Sequence, residues 1–226
     1  MRARATLLLT GLVLGLAGCS TGVTGAASPA GSGGGSSAGT VSCDWSPDAG
    51  SASVDADQPP DDVPATGTDT LTMTTGQGEL TLTLDRGQAP CAAAALTSLA
   101  GQGFFDGSPC HRETDSAGLQ VLQCGDPTGT GAGGPTWSYP TDVDGDETYP
   151  RGTVAMANSG QGFDGSQFFL VWGDAQLTPD YTVVGTIDDD GLAVLDAIAD
   201  KGNDGSNGPG DGAPNDPVTI ETMTVG

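Results

Sequence analysis

Apolar and hydroxyl side chains alternate strictly along Leu71-Thr72-Met73-Thr74-Thr75 and again along Leu80-Thr81-Leu82-Thr83-Leu84. A period of two sends the apolar set to one face of an extended chain. With Gly76-Gln77-Gly78 between them, the two runs predict a β-hairpin. Ala89 to Ala100 is rich in Ala and Leu and has Pro90 in its first turn, which predicts a helix. Short apolar runs predict strands over Pro109–Glu113, Val121–Cys124, Thr153–Ala157, Gln167–Val171 and Tyr181–Ile187. A second helix is expected over Gly191–Ala199 and a last strand over Val218–Val225. Many short strands, two helices and glycine-rich turns point to a mainly β fold, a closed antiparallel barrel capped by helices. Aromatics make up only 5%, so the core is expected to be aliphatic around Phe104, Phe105, Phe168 and Trp172.

The first residues read differently. Met1-Arg2-Ala3-Arg4 is cationic, Leu7 to Leu16 is apolar, and Leu16-Ala17-Gly18-Cys19 closes the run with small residues before a cysteine. That order describes an export signal, too short to span a bilayer, which needs ~20 residues. It resembles a bacterial lipoprotein signal over residues 1–18, with Cys19 as the lipidated N-terminus after cleavage. Stable anchoring takes more than one acyl chain, which a multiply acylated cysteine supplies. Residues 19–66 follow as an expected tether: Gly, Ser, Ala and Thr up to about Gly39, then an Asp- and Pro-rich stretch from Asp48 to Thr66. Between these lies a small apolar island, Cys43-Asp44-Trp45, suited to docking on the folded domain of residues 67–226.

Charge narrows the partners. Lys and Arg number 6 against 29 Asp and Glu. So acidic a chain disfavours nucleic acid, which is bound mainly through cations on phosphate. It also disfavours anionic lipid, leaving the covalent anchor as the membrane contact. The expected setting is extracytoplasmic, on the bacterial cell membrane, and a monomer is expected. Besides Cys19 there are four cysteines, Cys43, Cys91, Cys110 and Cys124, which allow three disulfide connectivities. The expected neighbouring of two strands favours Cys110–Cys124, leaving Cys43–Cys91. No Cys-x-x-Cys spacing and one histidine argue against a metal site, and no cofactor is expected.

Two motifs are decoys. Gly160-Gln161-Gly162-Phe163-Asp164-Gly165 fits G-x-G-x-x-G, but a strand pattern follows where dinucleotide binding requires a helix. Asp142-Val143-Asp144-Gly145-Asp146-Glu147 suggests a calcium loop, yet its glycine is misplaced and position twelve is Thr153. His111 beside Arg112 tempts toward acid–base chemistry. Alternation sends the two side chains to opposite faces, so a structural, hydrogen-bonded histidine is expected.

Three blocks remain: Cys110-His111-Arg112; Gln123-Cys124-Gly125-Asp126-Pro127-Thr128-Gly129-Thr130-Gly131; and Met156-Ala157-Asn158-Ser159 leading to Gly165-Ser166-Gln167-Phe168-Phe169. In order and spacing they resemble the cyclophilin-type peptidyl-prolyl cis-trans isomerases, over roughly Asp69 to Val225. The resemblance implies an eight-stranded barrel with a helix over each end. It implies isomerisation of Xaa-Pro bonds in proline-containing polypeptides, with Arg112 as catalytic guanidinium and Gln123 holding it. Substrate contacts would come from Gln120, Val121, Ala157, Asn158, Ser159, Gln167, Phe169, Leu177 and Tyr181, with Phe169, Val121 and Leu177 forming the proline pocket. The chain departs from the family at Gln120, where an aromatic is usual, at Val121, where methionine is common, and at Gln176 and Tyr181, where tryptophan and histidine are often found. A shallower, more polar pocket is therefore expected, with weak or absent cyclosporin binding and reduced isomerase activity. A proline-peptide binding or chaperone-like module with little isomerase activity is the alternative.

Overall fold

The computed structural model describes residues 39–48 and 52–226. The expected signal of residues 1–18, the expected lipidation site Cys19 and the first part of the expected tether lie outside them. Eight long strands carry the fold: β1 (Thr68–Thr75), β2 (Gly78–Asp85), β3 (Arg112–Ser116), β4 (Leu119–Cys124), β5 (Thr153–Asn158), β6 (Phe163–Ala175), β7 (Val183–Ile187) and β8 (Thr219–Val225). Two helices accompany them, α1 (Pro90–Gly101) and α2 (Asp189–Ala199). Pairing is antiparallel in the order β3-β4-β6-β5-β7-β2-β1-β8. The mainly β expectation and both helices hold.

The hairpin is the one the alternation predicts: Leu71 pairs with Leu82 and Met73 with Leu80. Leu71, Met73, Leu80, Leu82 and Leu84 are all fully buried, while the threonines between them face outward. Helix α1 starts on Pro90 and buries Ala92, Ala95, Leu96 and Leu99 against the same core. Helix α2 has Asp188 as its N-cap, whose Oδ1 accepts from the Gly191 amide, and Asp189 and Asp190 in its first turn. Carboxylates there favour the positive end of the helix dipole.

The hydrogen-bonded path does not close into the expected ring. Its ends are the short strand Ser108–Pro109, paired with β8, and Asp211–Gly212, paired with β3. One strand was expected over Pro109–Glu113, but the chain leaves the ladder at Cys110 and His111. Cys110 donates its amide to Val218 O instead, and its sulfur bonds to Cys124 on β4. The sheet is curled, and through Cys110 and His111 the chain runs from one end strand to β3, the neighbour of the other.

Part of the expected tether is folded onto this domain. Thr40–Ser42 pairs with Asp62–Pro64, Ser46–Pro47 with Trp137–Ser138, and Ser53–Val54 runs parallel to Gly134–Pro135. Cys43 is bonded to Cys91 at the start of α1. Trp45 packs edge-on against Trp137 and Tyr139, each with ring centroids 5.3 Å away. The apolar island docks, as its composition suggested, and it brings its polar flanks along. Both favoured disulfides are present.

Candidate active site

Strands β3, β4, β6 and β5 lie side by side and supply the site. Register sets Arg112 opposite Gln123, and Gln123 opposite Phe169. Arg112, Val121, Gln123 and Phe169 therefore share one face, while Leu122, Cys124 and Phe168 turn into the core.

The polar groups form a chain. Arg112 Nη1 donates to Gln123 Oε1 at 3.4 Å, and Gln123 Nε2 donates to Gln167 Oε1 at 2.9 Å. Gln167 Nε2 in turn donates to the carbonyls of Gly131 and Gly133, at 3.1 and 2.9 Å. Each amide is thereby fixed in orientation, and the carbonyls at the far end come from the loop that follows β4. That loop is itself built around Asp126, a fully buried carboxylate accepting from the Thr128, Gly131 and Gly133 amides and the Thr128 hydroxyl. These bonds outweigh its burial and hold its carboxyl below the usual range.

The other side of Arg112 is a feature that sequence reasoning missed. Its Nε and Nη2 donate to the two carboxylate oxygens of Asp211, at 2.8 and 2.6 Å. This hydrogen bonding raises the guanidinium above its ordinary value and lowers the Asp211 carboxyl.

Beside this polar chain lies an apolar cluster of Val121, Ala155, Phe169, Val171 and Tyr149, with Leu119, Ala157, Leu177 and Tyr181 packed on its margin. Phe169 meets the Tyr181 ring edge-on, centroids 5.5 Å apart. The Tyr149 hydroxyl donates to Tyr181 O and accepts from its amide, which fixes the turn carrying Tyr181. Tyr149 was not among the expected residues, since it follows an acidic loop with no strand pattern. A cavity of about 450 Å³ adjoins the cluster, lined by Gln123, Gly133, Ala157, Ser159, Phe163 and Gln167 among others. Asn158 is partly occupied: its Nδ2 donates to Asp180 O at 2.9 Å and its Oδ1 accepts from the Gly160 amide.

Two expectations are corrected. Gln120 alternates with Val121 and so leaves on the opposite face of β4. Its Oε1 accepts from the Asp174 amide at 2.8 Å, and it takes no part in the apolar cluster. His111 is not hydrogen-bonded: neither ring nitrogen has a partner, and desolvation lowers its pKa. Val121, Phe169, Ala157, Leu177 and Tyr181 share the apolar cluster, Gln123, Ala157, Asn158, Ser159 and Gln167 line the cavity, and Arg112 reaches Gln123.

Residues 70–225 match the family described as cyclophilin type peptidyl-prolyl cis-trans isomerase/CLD. The chain belongs to that family. Among relatives of this cyclophilin, the probable peptidyl-prolyl cis-trans isomerase B of Mycobacterium leprae is 50% identical over 165 residues, 68% of this chain and 55% of the relative. The corresponding Mycobacterium tuberculosis protein is 47% identical, over 69% of this chain and 54% of its own length. The chain thus spans about half the length of these two relatives. Peptidyl-prolyl cis-trans isomerase A of Mycobacterium tuberculosis is 33% identical, over 70% of this chain and 92% of that protein. The crystal structure of a Cryptosporidium parvum cyclophilin aligns with a TM-score of 0.61 and 26% identity, over 71% of this chain and 98% of that one. The Cryptosporidium protein has also been crystallised in the presence of the dipeptide Ala-Pro.

Proposed function

We propose that this cyclophilin is a peptidyl-prolyl cis-trans isomerase that assists the folding of exported proteins while tethered to the bacterial cell membrane through Cys19. The observation that carries the reading is a hydrogen-bonded guanidinium, Arg112–Gln123–Gln167, running along an apolar cluster that contains Phe169 and Val121. Two disulfides suit an oxidising compartment outside the cytoplasm.

The chemistry needs no nucleophile or proton shuttle. Resonance across the C–N bond sets a barrier of ~18–20 kcal/mol to rotation. The cis and trans prolyl forms lie within ~1 kcal/mol of each other, yet exchange in tens of seconds or longer. A catalyst must favour the twisted amide over both planar forms. As the amide twists, its nitrogen lone pair localises, and an N–H of Arg112 donated towards that nitrogen stabilises this state and not the planar one. Phe169, Val121 and Leu177 grip the proline ring. The extended peptide lies along Ala157-Asn158-Ser159, with Gln167 and Tyr181 at its edges. A fixed donor is most effective where water is kept away, as at the rim of an apolar cluster.

The test is NMR exchange on a short Xaa-Pro peptide with the full chain and with Arg112→Ala. The parent is expected to accelerate exchange and the variant to lose about a hundredfold of that rate, the scale of a single electrostatic donor. Line broadening without acceleration by either protein would make this a proline-peptide binding module.

A further inference from the structure

Asp211 sits 99 residues from Arg112 in sequence, yet its carboxylate grips the guanidinium by two bonds. The aspartate does not swing free. Asp211–Gly212 pairs with Thr114 and Glu113 of β3. The Asp211 amide donates to Gly208 O, and Asp211 O accepts from the Asn207 amide. Asn207 Nδ2 donates at 3.1 Å to Oδ1, the same oxygen that receives Arg112 Nε. Around it, Asp204 Oδ1 accepts from the Ser206 and Ala213 amides, closing the loop. Gly212 is packed so tightly inside that loop that a Cβ would lie 2.2 Å from Asp204 Oδ1 and 2.7 Å from the Gly205 amide nitrogen.

The two other arginines among the described residues also pair with aspartates, Arg86 with Asp69 and Arg151 with Asp196. The carboxylates of those two aspartates are held by their arginines and not by a surrounding turn.

We propose that Asp211 is the positioning residue for Arg112, setting the plane and reach of its guanidinium for prolyl isomerisation. The assignment rests on the isomerase reading above. A guanidinium has five N–H donors in a rigid fork. Asp211 takes one on Nε and one on Nη2, and Gln123 takes one on Nη1, so one N–H remains on each terminal nitrogen for a substrate. An arginine side chain otherwise explores many rotamers, and small misplacements at a reacting centre cost large factors in rate. Gln123 alone, at 3.4 Å, cannot fix the plane; a bidentate carboxylate does.

The test is a saturation series of Xaa-Pro exchange on the full chain with Asp211→Asn and Asn207→Ala, beside the parent. Asp211→Asn keeps the loop's shape and offers one acceptor in place of two. It is expected to lower kcat about tenfold with KM nearly unchanged, and Asn207→Ala to lower kcat by a smaller factor in the same direction. In ¹⁵N spectra the Arg112 Nε–H should be protected from solvent exchange in the parent and lose that protection in Asp211→Asn, a signature that a purely structural loop would not give. Parental kcat in a folded Asp211→Asn would overturn the inference. A rise in kcat would overturn it too, because the carboxylate would then restrain the arginine. An inactive parent would instead sink the isomerase reading itself.

Discussion

Gly125→Ala is expected to destabilise the domain by roughly 4 kcal/mol and to remove the proposed isomerase activity from the fraction that still folds. Gly125 follows directly on β4 with φ at +88°, a conformation that costs an L residue ~1–3 kcal/mol. A Cβ there would lie 2.4 Å from Ser166 O, 2.9 Å from Phe168 Cδ1 and 3.0 Å from Gln167 Cα. Two of those three contacts are with backbone, which cannot rotate aside, and overpacking of this kind adds ~1–3 kcal/mol. Relief requires β6 to move off β4. That shift would also break the Ser166 hydroxyl bond to Gly125 O and draw Gln167 away from Gln123. Stability and the Arg112–Gln123–Gln167 chain should therefore fail together. Urea titration and peptide exchange on the same sample check this: a variant within 1 kcal/mol of the parent would show that β6 yields at little cost.

How far the sequence carried the fold depends on where the forces were local. The β1–β2 hairpin was legible because its pattern, turn and burial agree over adjacent residues. The sequence outlined β6 only in its middle, Gln167–Val171, whereas the strand runs from Phe163 to Ala175. Its ends are polar and glycine-containing, and they join the sheet through partners far along the chain: Asp164 opposite Tyr139, and Ala175 opposite Leu119 after a register shift. The break in the expected Pro109–Glu113 strand at Cys110 and His111 had no local signal either, since it follows from the Val218 carbonyl and the disulfide to Cys124.

Arg112, Gln123, Asn158, Gln167 and Phe169 stood out because they fall in three blocks whose order and spacing resemble the cyclophilins. Asp211 did not, because it is one of 29 acidic residues and lies in a Gly-, Asn- and Asp-rich loop that reads as solvated. The residues folded ahead of β1 were hidden for a third reason. They bury little apolar surface of their own, and they are held by Cys91, Trp137 and Tyr139, supplied from the domain. Composition distinguishes a segment that cannot form a core from one that can; it is silent on a segment that borrows one.

Glu113 should make the protein less stable as pH rises from about 4.5 to 7, and Glu113→Gln should abolish that part of the dependence. The side chain is fully buried on β3, opposite Leu122, and neither carboxylate oxygen has a hydrogen-bond partner. Burial first, and then the nearby Asp115, raise its pKa to about 7. In the unfolded chain it titrates near the ordinary glutamate value of ~4.3. Between the two values the folded state binds the proton and the unfolded state does not, so folding stability falls with rising pH. The stabilisation is complete below the unfolded value and gone above about 7, a total of roughly 3 kcal/mol from this one group. Asp211 and Asp126, whose carboxyls are lowered, act in the opposite sense: their contribution is present above the ordinary aspartate range and is lost only as pH falls through their lowered values. Asp164 and Asp142 are raised and add to the Glu113 slope, which is why the comparison must be made between parent and variant. Denaturant titrations at pH 5 and pH 8 provide it. Glu113→Gln should be about 2–3 kcal/mol more stable than the parent at pH 8 and close to it at pH 5. Equal pH slopes for the two proteins would mean that the carboxylate finds water or a cation on ionising, and is not held in the core as the packing of β3 against β4 implies.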